Sequence, residues 1–369
     1  MKTMLIILVF IHGLLHLLGF TIAFNLTKLS EVAISVSRFS GILWLVAGLL
    51  LINSVLFYIN DKDWWWITAG VALLLSQYLI ILNWEEAKYG TLINVIILAI
   101  ILVSVATAQF KDQYHKDVQE QLNKNANHNS NILTEQDIEL LPNAIKKYLQ
   151  YCGVIGKPKV NHFKVRFSGQ LRKDSKTAWM PVTSSQYNFV DSTSRFFFMN
   201  AMMKGMPVAG YHRFCNGKAI MDIRLLSLFK VQYRAGKEMD VAETVTFFND
   251  MCCLAPATLI DKRIKWLDSD SHKVKASFTS NGITITATLY FSDDGKMTNF
   301  ESNDRFAIAA DNSFKKALWS TPIRGYKIIN GINLPAIAET IWHFPKEDLC
   351  YGSFAITNVE YNPTYLDTK

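Results

Sequence analysis

Two histidines stand four residues apart in the run "FIHGLLHLLGF", residues 10–20. On a helix His12 and His16 share one face, continued by Gly19 and Ala23 with Gly13 beside it. Ionisable side chains within an apolar segment of membrane length are costly, which makes them candidates for holding a ligand, a proton or a metal. A haem needs axial histidines on opposite faces of its ring, and the other apolar runs contain none. A zinc ion needs at least three protein ligands. Beyond the loop residues Glu85 and Glu86, the runs supply no cysteine or carboxylate. No cofactor is therefore expected, and a metal on His12 and His16 would need help from that loop or from a second copy of the chain. The structural alternative is that both rings are neutral and hydrogen-bond across helices to Asn53, Gln77 or Asn94, at about 0.6 to 2 kcal/mol per bond.

Other chemistry is sparse. The sequence contains no G-x-S-x-G, H-E-x-x-H, P-loop or G-x-G-x-x-G motif. Glu243 and Asp250 are seven apart and project from one helix face, an arrangement open to acid–base work. Capping accounts for the first and solvent for the second. Arg172, Glu339 and Trp342 fall in strand candidates that could meet across a sheet. The five cysteines are Cys152, Cys215, Cys252, Cys253 and Cys350. They form no C-x-x-C, so they read as buried, reduced thiols. No catalytic residue and no metal site is assigned, and the balance leans to a non-enzymatic protein.

The elements that carry these residues divide at residue 110. Apolar runs at Met4–Phe24, Gly41–Ile59, Trp64–Leu82 and Thr91–Gln109 each approach the roughly 20 residues that a helix needs to cross a bilayer. Barrel strands would alternate in polarity, and these runs do not, so residues 1–110 are expected to be a four-helix membrane domain. The first run is too long for a cleaved signal and lacks a small-x-small site. Trp64, Trp65 and Trp66 read as an interfacial belt opening the third span.

Residues 1–110 hold five basic and five acidic side chains, so the whole net charge of +7 belongs to the remainder. Lys2, Lys62, Lys111 and Lys116 would lie on one side of the membrane, and Lys28, Arg38 and Lys88 on the other. Positive charge is retained in the cytoplasm, which places the large domain there by a margin of one residue. A basic, multi-pass protein of the cell membrane is also drawn to anionic headgroups. No nucleic-acid partner is expected.

Residues 111–133 read as a polar, asparagine-rich linker, helix-like at first and then a tether. Thr134 and Asp137 resemble a capping box, and "LPNAIKKYLQYCG" has Pro142 at a helix start and Gly153 past its end. From about Val160 the period becomes two, with turns at Asn281-Gly282, Asp294-Gly295 and Asn330-Gly331. Strand candidates include 179–190, 194–203, 211–223, 264–267, 272–278, 297–302, 326–329, 334–343 and 353–361. One helix interrupts them, "DVAETVTFFNDMCCLAP", with Asp240 as N-cap, Glu243 as box partner, and Val241, Val245, Phe248 and Cys252 as a core stripe. Residues 134–369 are thus a soluble α+β domain with a large, mostly antiparallel, curved sheet and helices against one face. Its aromatics, among them Trp179, Tyr187, Phe196, Phe197, Phe198, Trp319 and Trp342, suit either an apolar cavity or a filled core.

Residues 139–362 resemble an uncharacterised bacterial family of unknown function. The resemblance lies in "LPNAIKKYLQYCGVIGKP", "FSGQLRKDSKTAWMPVTSSQY", "CCLAPATLIDKRIKWLD" and "NGINLPAIAETIWHFP". The opening "HGLLHLLGF" resembles that of relatives with a membrane part. It implies a shared fold and transfers no functional residue. In outline the layout is similar to lipoprotein-carrier folds of the LolA/LolB type, from which four preceding spans set this chain apart. The leading expectation is a membrane-anchored module that binds an apolar ligand, a lipid or a lipidated partner. His12, His16, Trp179, Tyr187, Arg172, Trp319, Glu339 and Trp342 are its candidate ligand contacts. The alternative is a membrane enzyme or a redox or proton-handling component that uses His12 and His16.

Overall fold

The computed structural model describes residues 2–26, 36–60, 62, 64–125, 131–308 and 313–367. Lys28, Glu31, Asp61, Asp63 and the linker stretch 126–130 lie outside the described residues. The chain divides into two units, Met1–Phe110 and Lys111–Lys369.

The first unit contains α1 (Lys2–Ala23), α2 (Arg38–Ile59), α3 (Trp65–Leu82), the short α4 (Trp84–Ala87) and most of α5 (Gly90–Lys124). The four long helices are long and apolar enough to cross a membrane. Ile7, Leu14, Leu18, Leu49, Leu74 and Leu92 are each more than 40% exposed, a surface that water would disfavour and hydrocarbon accommodates. Where α1 meets α2 the contact is backbone to backbone. A Cβ added at Gly48 would lie 2.8 Å from the Gly13 carbonyl oxygen, so only glycine permits the approach. The tryptophans after residue 63 differ from the expected belt. Trp64 is half exposed, but Trp65 is buried, its ring 4.8 Å from that of Tyr58.

The second unit is a curled antiparallel sheet of fourteen strands. They are β1 (His162–Leu171), β2 (Met180–Phe189), β3 (Ser194–Met203), β4 (Met206–Cys215), β5 (Lys218–Leu225), β6 (Phe229–Ala235), β7 (Ile264–Ser269), β8 (Lys273–Ser280), β9 (Ile283–Phe291), β10 (Met297–Ile308), β11 (Phe314–Ser320), β12 (Ile323–Ile329), β13 (Ile332–His343) and β14 (Asp348–Tyr361). Their order is β6-β5-β4-β3-β2-β1-β14-β13-β11-β10-β9-β8-β7, with β12 beside β13. The stretch 211–223, expected as one strand, is broken at Asn216-Gly217, both with positive φ, into β4 and β5. The edge strand β6 and the strand β11 were not anticipated.

Three helices complete this unit: α6 (Glu135–Ile138), α7 (Asn143–Cys152) and α8 (Lys237–Leu254). Thr134 and Asp137 form a reciprocal capping box, and Gly153 ends α7 in the left-handed region at φ 69°. Helix α8 packs against both β5 and β9. Nine strand spacings of about 4.8 Å would separate those two by about 43 Å in a flat sheet, whereas a helix is about 10–12 Å wide. The sheet must therefore wrap around α8. The Thr193 and Ser280 hydroxyls, from the β2–β3 turn and the end of β8, meet at 2.6 Å.

Wrapping leaves α8 buried nearly all round, not along the single stripe expected of it. Its first residue is Lys237 and its N-cap Gly236, so Asp240 is not the cap. The Asp240 carboxylate instead accepts a hydrogen bond of 2.8 Å from the Ala219 amide of β5.

The convex face of the sheet is also covered. Residues 111–124, expected as the head of a linker, are the last turns of α5, with Tyr114, Val118 and Leu122 buried. Tyr114 Oη donates to Ser185 Oγ at 3.2 Å, and Tyr211 Oη donates to Asp117 Oδ2 at 2.7 Å. Helices thus pack on both faces, not one, because this polar-looking segment has an amphipathic stripe at four-residue spacing.

Candidate functional site

Alternation along β2, β3 and β4 sends Gln186, Asn188, Arg195 and His212 to the face toward α8, while Tyr187, Phe196 and Tyr211 take the other. Glu243 and Asp250 look back from α8. The Arg195 guanidinium joins them: Nε donates to Asp250 Oδ2 at 2.8 Å, and Nη1 donates to Glu243 Oε2 at 3.1 Å. Its Nη2 donates to Gln186 Oε1 at 2.9 Å. Gln186 Nε2 and Asn188 Nδ2 add donations to Asp250 Oδ2 at 2.7 and 3.1 Å. The three charged side chains are at most 9% exposed.

Burial alone would strip the charge from Arg195, but Asp250 and Glu243 hold it protonated and raise its pKa. Burial pushes the Asp250 carboxyl up against the pull of Arg195. It would do the same to Glu243, yet Arg195, with His212 and Arg305 behind it, holds that carboxyl below its usual value. Burial lowers His212 to about 4, despite Glu243 Oε1 at 4.0 Å from Nδ1. Every donor to Asp250 meets Oδ2. Carboxyl, carboxylate and imidazole are ingredients of acid–base chemistry, but here one guanidinium engages both acids. The expectation that capping explains Glu243 and solvent explains Asp250 is overturned, since both are buried partners of Arg195.

Opposite them, the Arg305 guanidinium lies 4.2 Å from the Trp319 ring centre and 5.7 Å from that of Trp342. Trp319 and Trp342 face each other in register across β11 and β13, and Trp319 Nε1 donates to Tyr351 Oη at 3.0 Å.

A second inner-face group extends from this polar centre toward the ends of β1, β3 and β5. Val182, Phe197, Met199, Ala201 and Val208 form an apolar cluster separate from the main core, which includes the phenylalanines of α8. Phe167, Leu171, Met180, Ile223, Leu225 and Phe354 pack on it and are only partly buried. The five central side chains of this band are buried, and the six packed against them form a partly exposed apolar border. A distinct surface groove of about 460 Å³ is lined by Val154, Val160, Ala257, Ile332 and Tyr361 among others, and includes none of the expected contacts.

The remaining expected contacts scatter. Arg172 and Trp179 meet at the rim of the band, the guanidinium 4.4 Å over the indole, with Arg172 Nε donating to the Cys350 carbonyl at 2.7 Å. Tyr187 lies on the convex face, where its hydroxyl accepts from the Asp367 amide at 3.0 Å. Glu339 is three residues from Trp342 on one strand and so projects to the opposite face; it binds Arg324 at 2.9 Å. Sequence reasoning missed Arg195, His212 and Arg305. The signal for Arg195 was a charge at an inward position of a strand reading "SRFFFMN".

In the first unit His12 and His16 belong to one hydrogen-bonded chain. His16 Nδ1 meets the His12 carbonyl at 2.8 Å; a carbonyl only accepts, so Nδ1 carries the proton. His16 Nε2 then accepts from the Ser76 hydroxyl at 2.8 Å, and Asn94 Nδ2 donates to Ser76 Oγ at 3.0 Å. Asn94 Oδ1 accepts from His12 Nε2 at 2.9 Å. The chain continues from Asn94 Nδ2 to Gln77 Oε1 at 3.0 Å and from Gln77 Nε2 to Thr91 Oγ1 at 3.1 Å. The pattern is met with both imidazoles neutral, and His12 Nδ1 is buried without a hydrogen-bond partner. Asn53, the third expected partner, is exposed. Among the described residues no cluster of three or more His, Cys, Asp or Glu has metal-binding geometry.

A family of unknown function, DUF6544, matches residues 131–354, more than half of the chain. The chain belongs to this family. Among curated proteins none matches. Of solved structures, the chain is similar to a putative outer membrane lipoprotein-sorting protein domain from Vibrio parahaemolyticus, at 9% identity and a TM-score of 0.34, over 56% of this chain and 88% of that one. It is also similar to a DUF1329 family protein from Desulfovibrio piger, at 9% identity and a TM-score of 0.34, over 59% of this chain and 91% of that one. The family assignment agrees with the resemblance read from residues 139–362.

Proposed function

We propose that this DUF6544 member is a membrane-anchored, non-enzymatic module whose curled sheet binds an apolar ligand, a lipid or the lipid group of a lipidated partner. The observation that carries this reading is the second apolar cluster on the inner face, around Phe197 and Met199, with its partly exposed border of Phe167, Leu171, Met180, Ile223, Leu225 and Phe354. An acyl chain laid along that border would bury it further. Four helices of membrane-spanning length and composition keep the domain near a source of lipid. The test is photo-crosslinking of the full-length protein in nanodiscs doped with a diazirine-bearing phospholipid. Adducts are expected on peptides containing Val182, Phe197, Met199 or Val208. Adducts confined to residues 1–110 would overturn the reading.

The charge asymmetry of the loops, by one residue, supports a cytoplasmic side for this domain. Four native cysteines are buried, so the probe is an engineered Ser271→Cys on an exposed turn. An impermeant maleimide should leave it unlabelled in intact cells and label it after lysis; labelling in intact cells reverses the topology.

One observation favours the second reading, a proton-handling or ligand-binding role for His12 and His16: the partnerless Nδ1 of His12. Metal analysis and an absorption spectrum of the purified protein test it, and a stoichiometric metal or chromophore lost in His12→Leu would establish it.

A further inference from the structure

Two hairpin tips stand side by side at the open end of the apolar band. Val208 of β4 pairs with Leu225 of β5, and the Leu226 amide donates to the Pro207 carbonyl at 2.8 Å, so the β3–β4 and β5–β6 turns are neighbours. Both tips are apolar and exposed. Met202, Met203 and Met206 are 46, 39 and 38% exposed, and Leu228 and Phe229 are 47 and 61%. The second turn is unusual in its chemistry. The turns at 216–217, 281–282 and 330–331 use Asn-Gly for their left-handed residues, but here Leu226 and Ser227 take φ values of 55° and 56°. A left-handed leucine is disfavoured, and such strain is kept where it serves something other than stability.

The same stretch is basic. Residues 201–237 hold seven basic side chains and one acidic, Asp222, against a net charge of +7 for all 369 residues. Lys204 stands in the first tip and Lys230 beside the second, both exposed. Asp222 itself is buried. Lys204 is at the apex of the first tip, flanked by the paired Met203 and Met206, and Lys230 follows Phe229 in the second; exposed apolar side chains interleaved with long basic ones suit the interface of an anionic bilayer, where the lysines reach phosphates.

We propose that these two tips form a docking surface for an anionic lipid bilayer, with Met202, Met206, Leu228 and Phe229 entering the interface and Lys204 and Lys230 meeting lipid phosphates. The docking stands apart from ligand binding in the sheet, though it would open the apolar band toward lipid.

The experiment uses the full-length protein in nanodiscs of phosphatidylglycerol or of phosphatidylcholine alone. An environment-sensitive nitrobenzoxadiazole label is placed at Leu228→Cys in a Cys350→Ser background, with Leu140→Cys, at 96% exposure, as the control. In phosphatidylglycerol discs the Leu228 label should shift to the blue and be quenched about threefold or more by doxyl-lipid, as for an interfacial side chain. The Leu140 label should not. Combined Lys204→Glu and Lys230→Glu should return the Leu228 label to an aqueous signal. Quenching absent at Leu228 in phosphatidylglycerol discs overturns the proposal. So does equal shielding in detergent without lipid, which would show that protein covers the tips, whether a second copy or the chain's own helices. Crosslinks to Phe197 that persist when docking is lost would leave the ligand reading intact, and loss of crosslinks with docking retained would remove that reading alone.

Discussion

The membrane unit and the curled sheet each bury a polar cluster, and they satisfy it by different means. Around His12 and His16 a chain of hydrogen bonds through Ser76, Asn94 and Gln77 can be completed by neutral groups and places nearly all their donors and acceptors. Around Arg195 the groups are charged, and one guanidinium spans two carboxylates seven residues apart on α8. The difference follows from the surroundings. Helices as apolar as these offer ions little solvation, whereas a sheet wrapped around a helix presents donors from β2 and β3 to Asp250 and a guanidinium to Glu243. Removing one member of each cluster should therefore have unequal consequences.

The largest effect is expected for Arg195→Ala, which strands Glu243 and Asp250 in the interior. It should destabilise the sheet by about 3–5 kcal/mol, read as lost hydrogen-exchange protection in β2 and β3. Replacing all three groups at once with Met at 195 and Leu at 243 and 250 should recover much of that loss. If Arg195→Ala costs less than about 1 kcal/mol, the charged cluster is no more demanding than the neutral one and the contrast fails.

Acid should reveal the next effect. Burial lowers His212 to about 4 in the folded domain, whereas an unfolded histidine titrates near 6.5. Between those values the unfolded chain binds a proton that the folded one refuses. Stability from neutral His212 is therefore complete above about pH 6.5 and is lost as pH falls toward 4, by up to about 3 kcal/mol. Unfolding midpoints at pH 7 and pH 5 measure it, and His212→Gln should flatten the difference. An unchanged slope in that variant would assign the acid sensitivity to other groups.

The smallest effects belong to the membrane unit. His12→Leu and His16→Leu should each cost about 1 kcal/mol, offset in part by easier insertion of leucine, with nearly additive effects in the double variant. Steric-trap unfolding in bicelles would measure them. A single substitution that abolishes a bound species or a phenotype, with protein level and helicity normal, would make this pair a functional site.

Much of the architecture was legible without coordinates. Hydropathy over windows of about 20 residues specifies the four long helices, because lipid leaves backbone groups no other partner. Asn281-Gly282, Asn330-Gly331 and the Thr134–Asp137 box act within a few residues of themselves, and each forms as its chemistry requires. The hydrogen bonding of His12 and His16 was narrowed to three partners, of which Asn94 bonds directly, Gln77 only through Asn94, and Asn53 points elsewhere. The family followed from phrases of sequence.

Tertiary structure alone decided the rest. Residues 111–124 look solvated because most of their side chains are polar, yet Tyr114, Val118 and Leu122 repeat every four residues, and only the convex sheet face shows why. Asp240, Glu243 and Asp250 read as cap, box and surface because those are the commonest fates of acids on a helix. Their partners are a β5 amide and an arginine 48 residues from Glu243 and 55 from Asp250. No local pattern encodes that pairing, since it depends on how far the sheet curls around α8, and curl is set by the packing of every strand at once.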